Sequence, residues 1–411
     1  MHLRDYDPEK DLKAVQRIWR EVGWIEDNDR HKKAMALHLE HASPLVAEIN
    51  GAAECLAAAM PGHIRYLDET LSLAAVTAVT TSLVARKKGL AKRVTAALVA
   101  REARGGAAVS GLGMFEQGFY NRLGFGSMNY MHLISFDPAQ LHIKHKARVP
   151  RRLSVDDHLL MHRALHQRMP AHGGVRLNPP AYIEAELNWY ENPIALGYAD
   201  GPNGDITHFL LGNMKGEHGP LRIDMMAYQT WDQYRELLAL IHSMGDQVRA
   251  VQLIEPPAIQ LQDFLIQPFR YRQLTEKSEY ANRSRAVAFM QFRINDLAAC
   301  LAATHLPCHD TVRFNLVLDD PIRKHLAEDA AWRGISGHYI VTLGPESGAV
   351  PGEDSALPTL EASVGAFTRL WLGVRPASGL AVSDRLSGPP DLLATLDRVL
   401  RLPQPHTEWF F

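Results

Sequence analysis

The residues best placed to do chemistry lie in Arg86-Lys87-Lys88-Gly89-Leu90-Ala91. Three cations and one glycine occupy the junction between an uncharged run, Leu71–Thr81, and a helical one, Leu90–Arg104. A glycine-bearing turn leaves the first N–H groups of that helix without partners, and the helix dipole adds partial positive charge. Those donors favour a phosphate or pyrophosphate. Gly89 lets the backbone approach the anion with no Cβ in the way. Arg86, Lys87, Lys88 and Lys92 add charge there, although the main-chain N–H groups matter more. A basic helix start without a ligand is the bland reading of the same residues. Tyr120, in Phe119-Tyr-Asn-Arg-Leu-Gly-Phe125, follows on a short helix after one further strand, Ala107–Met114.

The elements that must position these groups are legible from period and punctuation. Leu71–Thr81 is rich in Val, Thr and Leu, as a buried strand is. Asp11–Trp24 carries Leu12, Val15, Ile18 and Val22 on one helical stripe, and a looser polar stretch, Glu26–His31, follows. Leu45–Ile49 and Ala52–Met60 flank Asn50-Gly51, a hairpin signal. Met128–Phe136 is expected to close this first domain, residues 1–135. Residues 136–285 repeat its order of elements: helices at 156–169 and 182–190, a hairpin at 194–214, a strand at 221–228, a helix at 231–242 and a strand at 248–254. The cofactor-type loop is missing before the helix at Trp231. Residues 286–411 read as strands, among them Thr311–Leu318 with alternate apolar residues, followed by helices. The expected fold class is α+β, a mixed αβ chain.

Composition narrows the function. A chain of 411 residues with ordinary apolar content holds two or three domains with sizeable cores. A formal net charge of −2 argues against nucleic-acid binding through bulk charge. No apolar run is long enough to span a membrane, and the first residues do not read as a signal peptide. Three cysteines, Cys55, Cys300 and Cys308, fit a reducing, cytoplasmic setting without a disulfide framework. Cys300, His305, Cys308 and His309 have no standard zinc spacing, so no metal is expected.

The loop with Arg86, Gly89 and Ala91, placed ahead of the Tyr120 helix, resembles the acetyl-CoA site of GNAT-type N-acetyltransferases. There the pyrophosphate loop has the form Arg/Gln-x-x-Gly-x-Gly/Ala. A degenerate second copy and a third domain like a sterol carrier extend the resemblance over nearly the whole chain, to the enhanced-intracellular-survival acetyltransferases. One departure stands out. That family has Val-x-Val and then Ala-Pro before the loop, where this chain has Val79-Thr80-Thr81 and then Ser82-Leu83.

The resemblance implies acetyl-CoA as acyl donor and a primary amine as acceptor, from aminoglycoside-like polyamines to lysine side chains. It implies direct transfer, Tyr120 as proton donor to the leaving thiolate, and the carboxylate of the last residue, Phe411, as base. The main chain of Val79, Thr80 and Thr81 would face the thioester and pantetheine. Arg86, Lys87, Lys88, Gly89, Leu90, Ala91 and Lys92 would hold the phosphates, with Phe115 and Glu116 bordering the cofactor. Glu26, Asp27 and Asp29 fall where this fold builds one wall of the acceptor pocket; a solvated loop is the alternative. Glu408 would add negative charge at the tail. Trp409, Phe410 and Phe411 would waste burial of about 1.5–3 kcal/mol each if the terminus frayed. A homo-oligomer, a hexamer, follows from the resemblance alone. A lipid or sterol carrier, using the face with Val312, Phe314, Leu316 and Leu318, is the competing function.

Overall fold

The computed structural model describes residues 2–269, 275, 277–307 and 311–411. Contacts group the chain into two compact units: residues 1–129, 171–179 and 288–411 form one, and 130–170 with 180–287 the other.

The first unit is organised by an eight-stranded sheet. Its strands β1 (His2–Asp5), β2 (Ser43–Ile49), β3 (Ala52–Tyr66) and β4 (Glu69–Thr81) run antiparallel to their neighbours, and β5 (Val109–Gly113) joins β4 in parallel. Helix α1 (Pro8–Glu21) is capped by the Asp7 side chain, which accepts from the N–H groups of Glu9 and Lys10. Helix α2 (Asp29–Glu40) takes in the second half of the expected polar loop, from Asp29 on, and Asn28 caps it by accepting from His31 N–H. Helix α3 (Leu90–Arg104) has the expected bounds. Its Leu90, Val94, Leu98 and Val99 are buried against Ala57, Ala59, Ala74 and Val76 of β3 and β4. Helix α4 (Gln117–Asn121) carries Tyr120, and β6 (Gly126–Ser127) follows.

Two segments distant in sequence complete this sheet. Met290–Ile294 inserts between β5 and β6, and Val175–Leu177 pairs with β3. The segment Met131–Phe136, expected to close the first domain, instead pairs with 251–254 and 283–287 in the second unit. Those partners bury its apolar side in a core with Tyr234, Leu237 and Leu253.

The second unit holds a seven-stranded sheet. Leu221–Ala227, the helix Trp231–Ser243 and Val251–Ile254 repeat the order strand, helix, parallel strand. This helix, unlike α3, is capped: Thr230 accepts from Gln233 N–H.

The last part of the first unit has a five-stranded sheet with Val312–Asp319 at its centre, and helices at 297–302, 364–371, 377–383 and 390–399. Phe314, Leu316 and Leu318 are buried in its core. The chain is thus mixed αβ with several sheets, as expected.

A buried ion pair fastens this part to the first sheet. Arg293 donates to Asp320 at 2.7 and 3.2 Å, and both side chains are 0% exposed. Arg293 also donates to Leu123 O and Asn295 Oδ1, and Asp320 accepts from the N–H groups of Ile322 and Ile335. Removing one member leaves an uncompensated charge in an apolar core. Asp320→Ala is therefore expected to cost about 3–5 kcal/mol in urea unfolding, and the paired change Arg293→Met with Asp320→Leu less than that.

Candidate functional site

The site begins where β4 and β5 part. Their parallel pairing runs from Leu73–Val109 to Val76–Leu112 and stops. β4 continues to Thr81, with a register shift against β3 and a left-handed Ala78 at φ 57°. That bulge turns the strand away from β5. Beyond Val76, among the described residues, no strand pairs with β4 on its β5 side. Main-chain groups of Val79, Thr80 and Thr81 are therefore available to an extended ligand laid into the wedge.

The chain then passes from Ser82 through the turn Leu83–Ala85 to the exposed loop Arg86–Gly89. Leu83 N–H donates to the Glu21 carboxylate of α1 at 2.8 Å and Ser82 N–H to Glu54 O, which fixes the loop's near end. Gly89 stands at the N-cap of α3 with φ 76°, a conformation that strongly favours glycine. Helices α1 and α2 have a side-chain cap and an acid in their first turn; α3 has neither. Its first N–H groups and the adjacent Arg86, Lys87, Lys88 and Lys92 could hold a doubly charged phosphate group. This fits the pyrophosphate of acetyl-CoA.

Tyr120 is buried among Phe115, Phe119 and Phe125, with ring centroids 5.9, 4.8 and 6.2 Å away. Burial pushes its phenol above the ordinary value of 10, and the Cys55 thiol adds to the shift. Cys55 pairs with Thr81 across the sheet, its Sγ 3.2 Å from Thr81 Oγ1, so the phenol belongs to the open end of β4. Among the described residues no hydrogen bond within the protein holds the Tyr120 hydroxyl. Phe115 and Glu116 are exposed on the short connection between β5 and α4.

The chain terminus arrives at the same place. A Cβ built on Gly113, the last residue of β5, would lie 3.3 Å from the Phe411 carboxyl oxygen. Phe410 packs on Phe289 at 5.1 Å, and Trp409 is buried, while Phe410 and Phe411 are half-buried. The tail is clamped by residues 171–177. His406 N–H donates to His172 O at 2.8 Å, and Val175 N–H to Thr407 O at 2.9 Å. A Cβ on Gly173, whose φ is 77°, would stand 2.6 Å from Pro405. The sequence offered this clamp only as a loop, because its partner is the far end of the chain.

The acidic candidates are less open to a ligand. Asp27 lies against Lys32 at 2.6 Å and Arg20 at 3.1 Å, and these cations hold its carboxyl below the usual range. Glu26 is exposed and lies 3.4 Å from Asn28 Nδ2, and Asp29 opens α2. Glu408 sits 3.4 Å from Arg176 in a left-handed conformation, φ 58°. Among the described residues no group of His, Cys, Asp and Glu could hold a metal; Cys308 and His309 lie outside the described residues. No helix among them is long and apolar enough to cross a membrane.

Comparisons with known proteins bear on the fold. Residues 3–128 match the family model for the acetyltransferase (GNAT) domain. No curated protein matches the chain. Among solved structures, a conserved protein of unknown function from Enterococcus faecalis V583, described as a probable N-acyltransferase, is 18% identical with a TM-score of 0.80, over 100% of this chain and 99% of its own. A GCN5-related N-acetyltransferase from Kribbella flavida is 17% identical, TM-score 0.78, over 100% and 98%. Eis1 from Mycobacterium abscessus is 15% identical, TM-score 0.75, over 100% of both chains. At these identities the likeness is one of fold, and it extends over the full length. Residues 3–128 are an acetyltransferase domain of the GNAT type, and the protein is an acyltransferase.

Proposed function

We propose that the protein transfers an acetyl group from acetyl-CoA directly to a primary amine, of the aminoglycoside-like or lysine kind. The observation that carries this reading is the Phe411 carboxyl oxygen against Gly113 at the end of β5, beside the open wedge of β4 from which the chain leads to the uncapped start of α3. Bound acetyl-CoA supplies an activated thioester.

The chain's own residues do the rest. The N–H groups at 89–92 hold the pyrophosphate, and main-chain donors of Val79–Thr81 face the acyl oxygen. An amine with a lysine-like pKa of about 10.4 is protonated near neutrality and must lose its proton before attack. The Phe411 carboxylate takes that role, directly or through a water, while Tyr120 keeps its proton for the leaving thiolate. Phe115 and Glu116 border the cofactor. Glu26, Asp27, Asp29 and Glu408 contribute negative potential on the acceptor side. Assembly as a hexamer, and a sterol-carrier-like origin for residues 286–411, belong to the same reading; light scattering checks the first.

Release of free thiol from acetyl-CoA with a panel of polyamines and lysine peptides tests the activity. Turnover with at least one amine is expected; binding of acetyl-CoA without turnover on any amine would reject it. The clamp gives a second test. Gly173→Val would force a branched side chain into a left-handed position against Pro405. A fall in kcat of roughly tenfold or more, with acetyl-CoA affinity unchanged, is expected, because a shift of about 1 Å in a catalytic group costs up to 10²-fold.

A further inference from the structure

Four basic side chains come from elements that share one core with α3. Lys92 lies in the first turn of α3 itself, Arg122 directly follows α4, and Lys324 and His325 come from the turn Pro321–His325. Burial lowers the pKa of the His325 imidazole, and Lys92, Lys324 and Arg122 lower it further. The charges that act on His325 come from Lys92, Lys324 and Arg122, and among the described residues these three form no ion pair. Crowding like charges without a counter-charge opposes folding.

The crowding is built in. Asp320 caps the turn by accepting from Ile322 N–H at 3.2 Å, and Asp320 is itself held by Arg293. Ile322 is fully buried in the same core as Val94 and Leu98 of α3, with Leu326 and Trp332 packed on it. The packed turn thus carries Lys324 and His325 from the C-terminal part of the chain onto α3. Beside them a cleft of about 620 Å³ is lined by Arg93, Ala97, Lys324, His325 and Trp332, among others.

In coenzyme A one ribose separates the pyrophosphate from a 3′-phosphate, a dianion. With the pyrophosphate on the N–H groups of α3, the next anion along the molecule falls within reach of Lys92 and its neighbours. We propose that Lys92, Arg122, Lys324 and His325 seat the 3′-phosphate of coenzyme A. The C-terminal part of the chain then discriminates coenzyme A from its dephospho form through charge-assisted hydrogen bonds. This rests on reading the α3 loop as the pyrophosphate cradle.

Calorimetric titration of the full chain with coenzyme A and with 3′-dephospho-coenzyme A separates the two ideas. The wild-type protein is expected to bind coenzyme A about tenfold tighter or more. The Lys324→Gln, His325→Gln double variant is expected to keep its dephospho-coenzyme A affinity and lose most of the preference. Arg122→Gln, from the opposite side of the cluster, gives the same readout should the double variant misfold. Equal affinity of the wild type for both ligands, or equal weakening of both in the variants, would overturn the 3′-phosphate seat alone. Failure of the wild type to bind either ligand would overturn the cradle itself.

Discussion

Adding a single alanine after Phe411 is expected to lower kcat by about 10²–10⁴-fold and to leave acetyl-CoA affinity unchanged. The added residue turns the terminal carboxylate into a neutral amide and moves the new carboxylate about 3.5 Å onward. The seat has no freedom to follow. Trp409 is buried, the main chain of His406 and Thr407 is bonded to His172 and Val175, and Gly113 already lies against the last oxygen. Deleting Phe411 should be equally harmful, since the carboxylate retreats by one residue while the clamp stays in place. The loop of α3 takes no part in either change, so acetyl-CoA binding by calorimetry should survive. Undiminished thiol release from the extended protein would mean that another group is the base.

Tyr120→Phe carries the second large effect. The ring stays among Phe115, Phe119 and Phe125, and no internal hydrogen bond is lost among the described residues. Stability should therefore change by less than about 1 kcal/mol. The expected fall in kcat is about 10²–10³-fold, the usual contribution of a positioned general acid. Burial moves the phenol upward, so it stays protonated through neutral and mildly alkaline pH. The acid form is the one required, and Tyr120 should impose no alkaline limb on the rate below about pH 10. A folded Tyr120→Phe protein with wild-type turnover would remove the phenol from the mechanism.

Local pattern made legible the strand and the helix that flank the proposed cofactor loop. A helical period following Gly89 placed α3 at Leu90–Arg104, and an uncharged Val/Thr run gave β4. The bulge at Ala78, which opens the wedge, has no such mark, because alanine does not announce a positive φ. Helix α2 escaped notice because Asp29-Arg-His-Lys-Lys is polar, although Asn28 three residues before His31 is a capping signal. The long-range partners were invisible for a different reason. Met290–Ile294 pairs with β5 across nearly 180 residues, and Val175–Leu177 with β3 across more than 110. Strand period shows which face is buried and says nothing of which strand lies alongside. The same limit hid the clamp on the tail and the cations of the Pro321–His325 turn, both of which reach the site through the fold.

The most direct test is a crystal structure of the full chain with coenzyme A bound. The pyrophosphate is expected on the N–H groups of residues 89–92, the pantetheine arm along Val79–Thr81, and the thiol within hydrogen-bond reach of the Tyr120 hydroxyl, on the side facing the Phe411 carboxylate. A coenzyme A molecule bound with its thiol away from Tyr120, or with the Phe411 carboxylate turned out of the wedge, would contradict it.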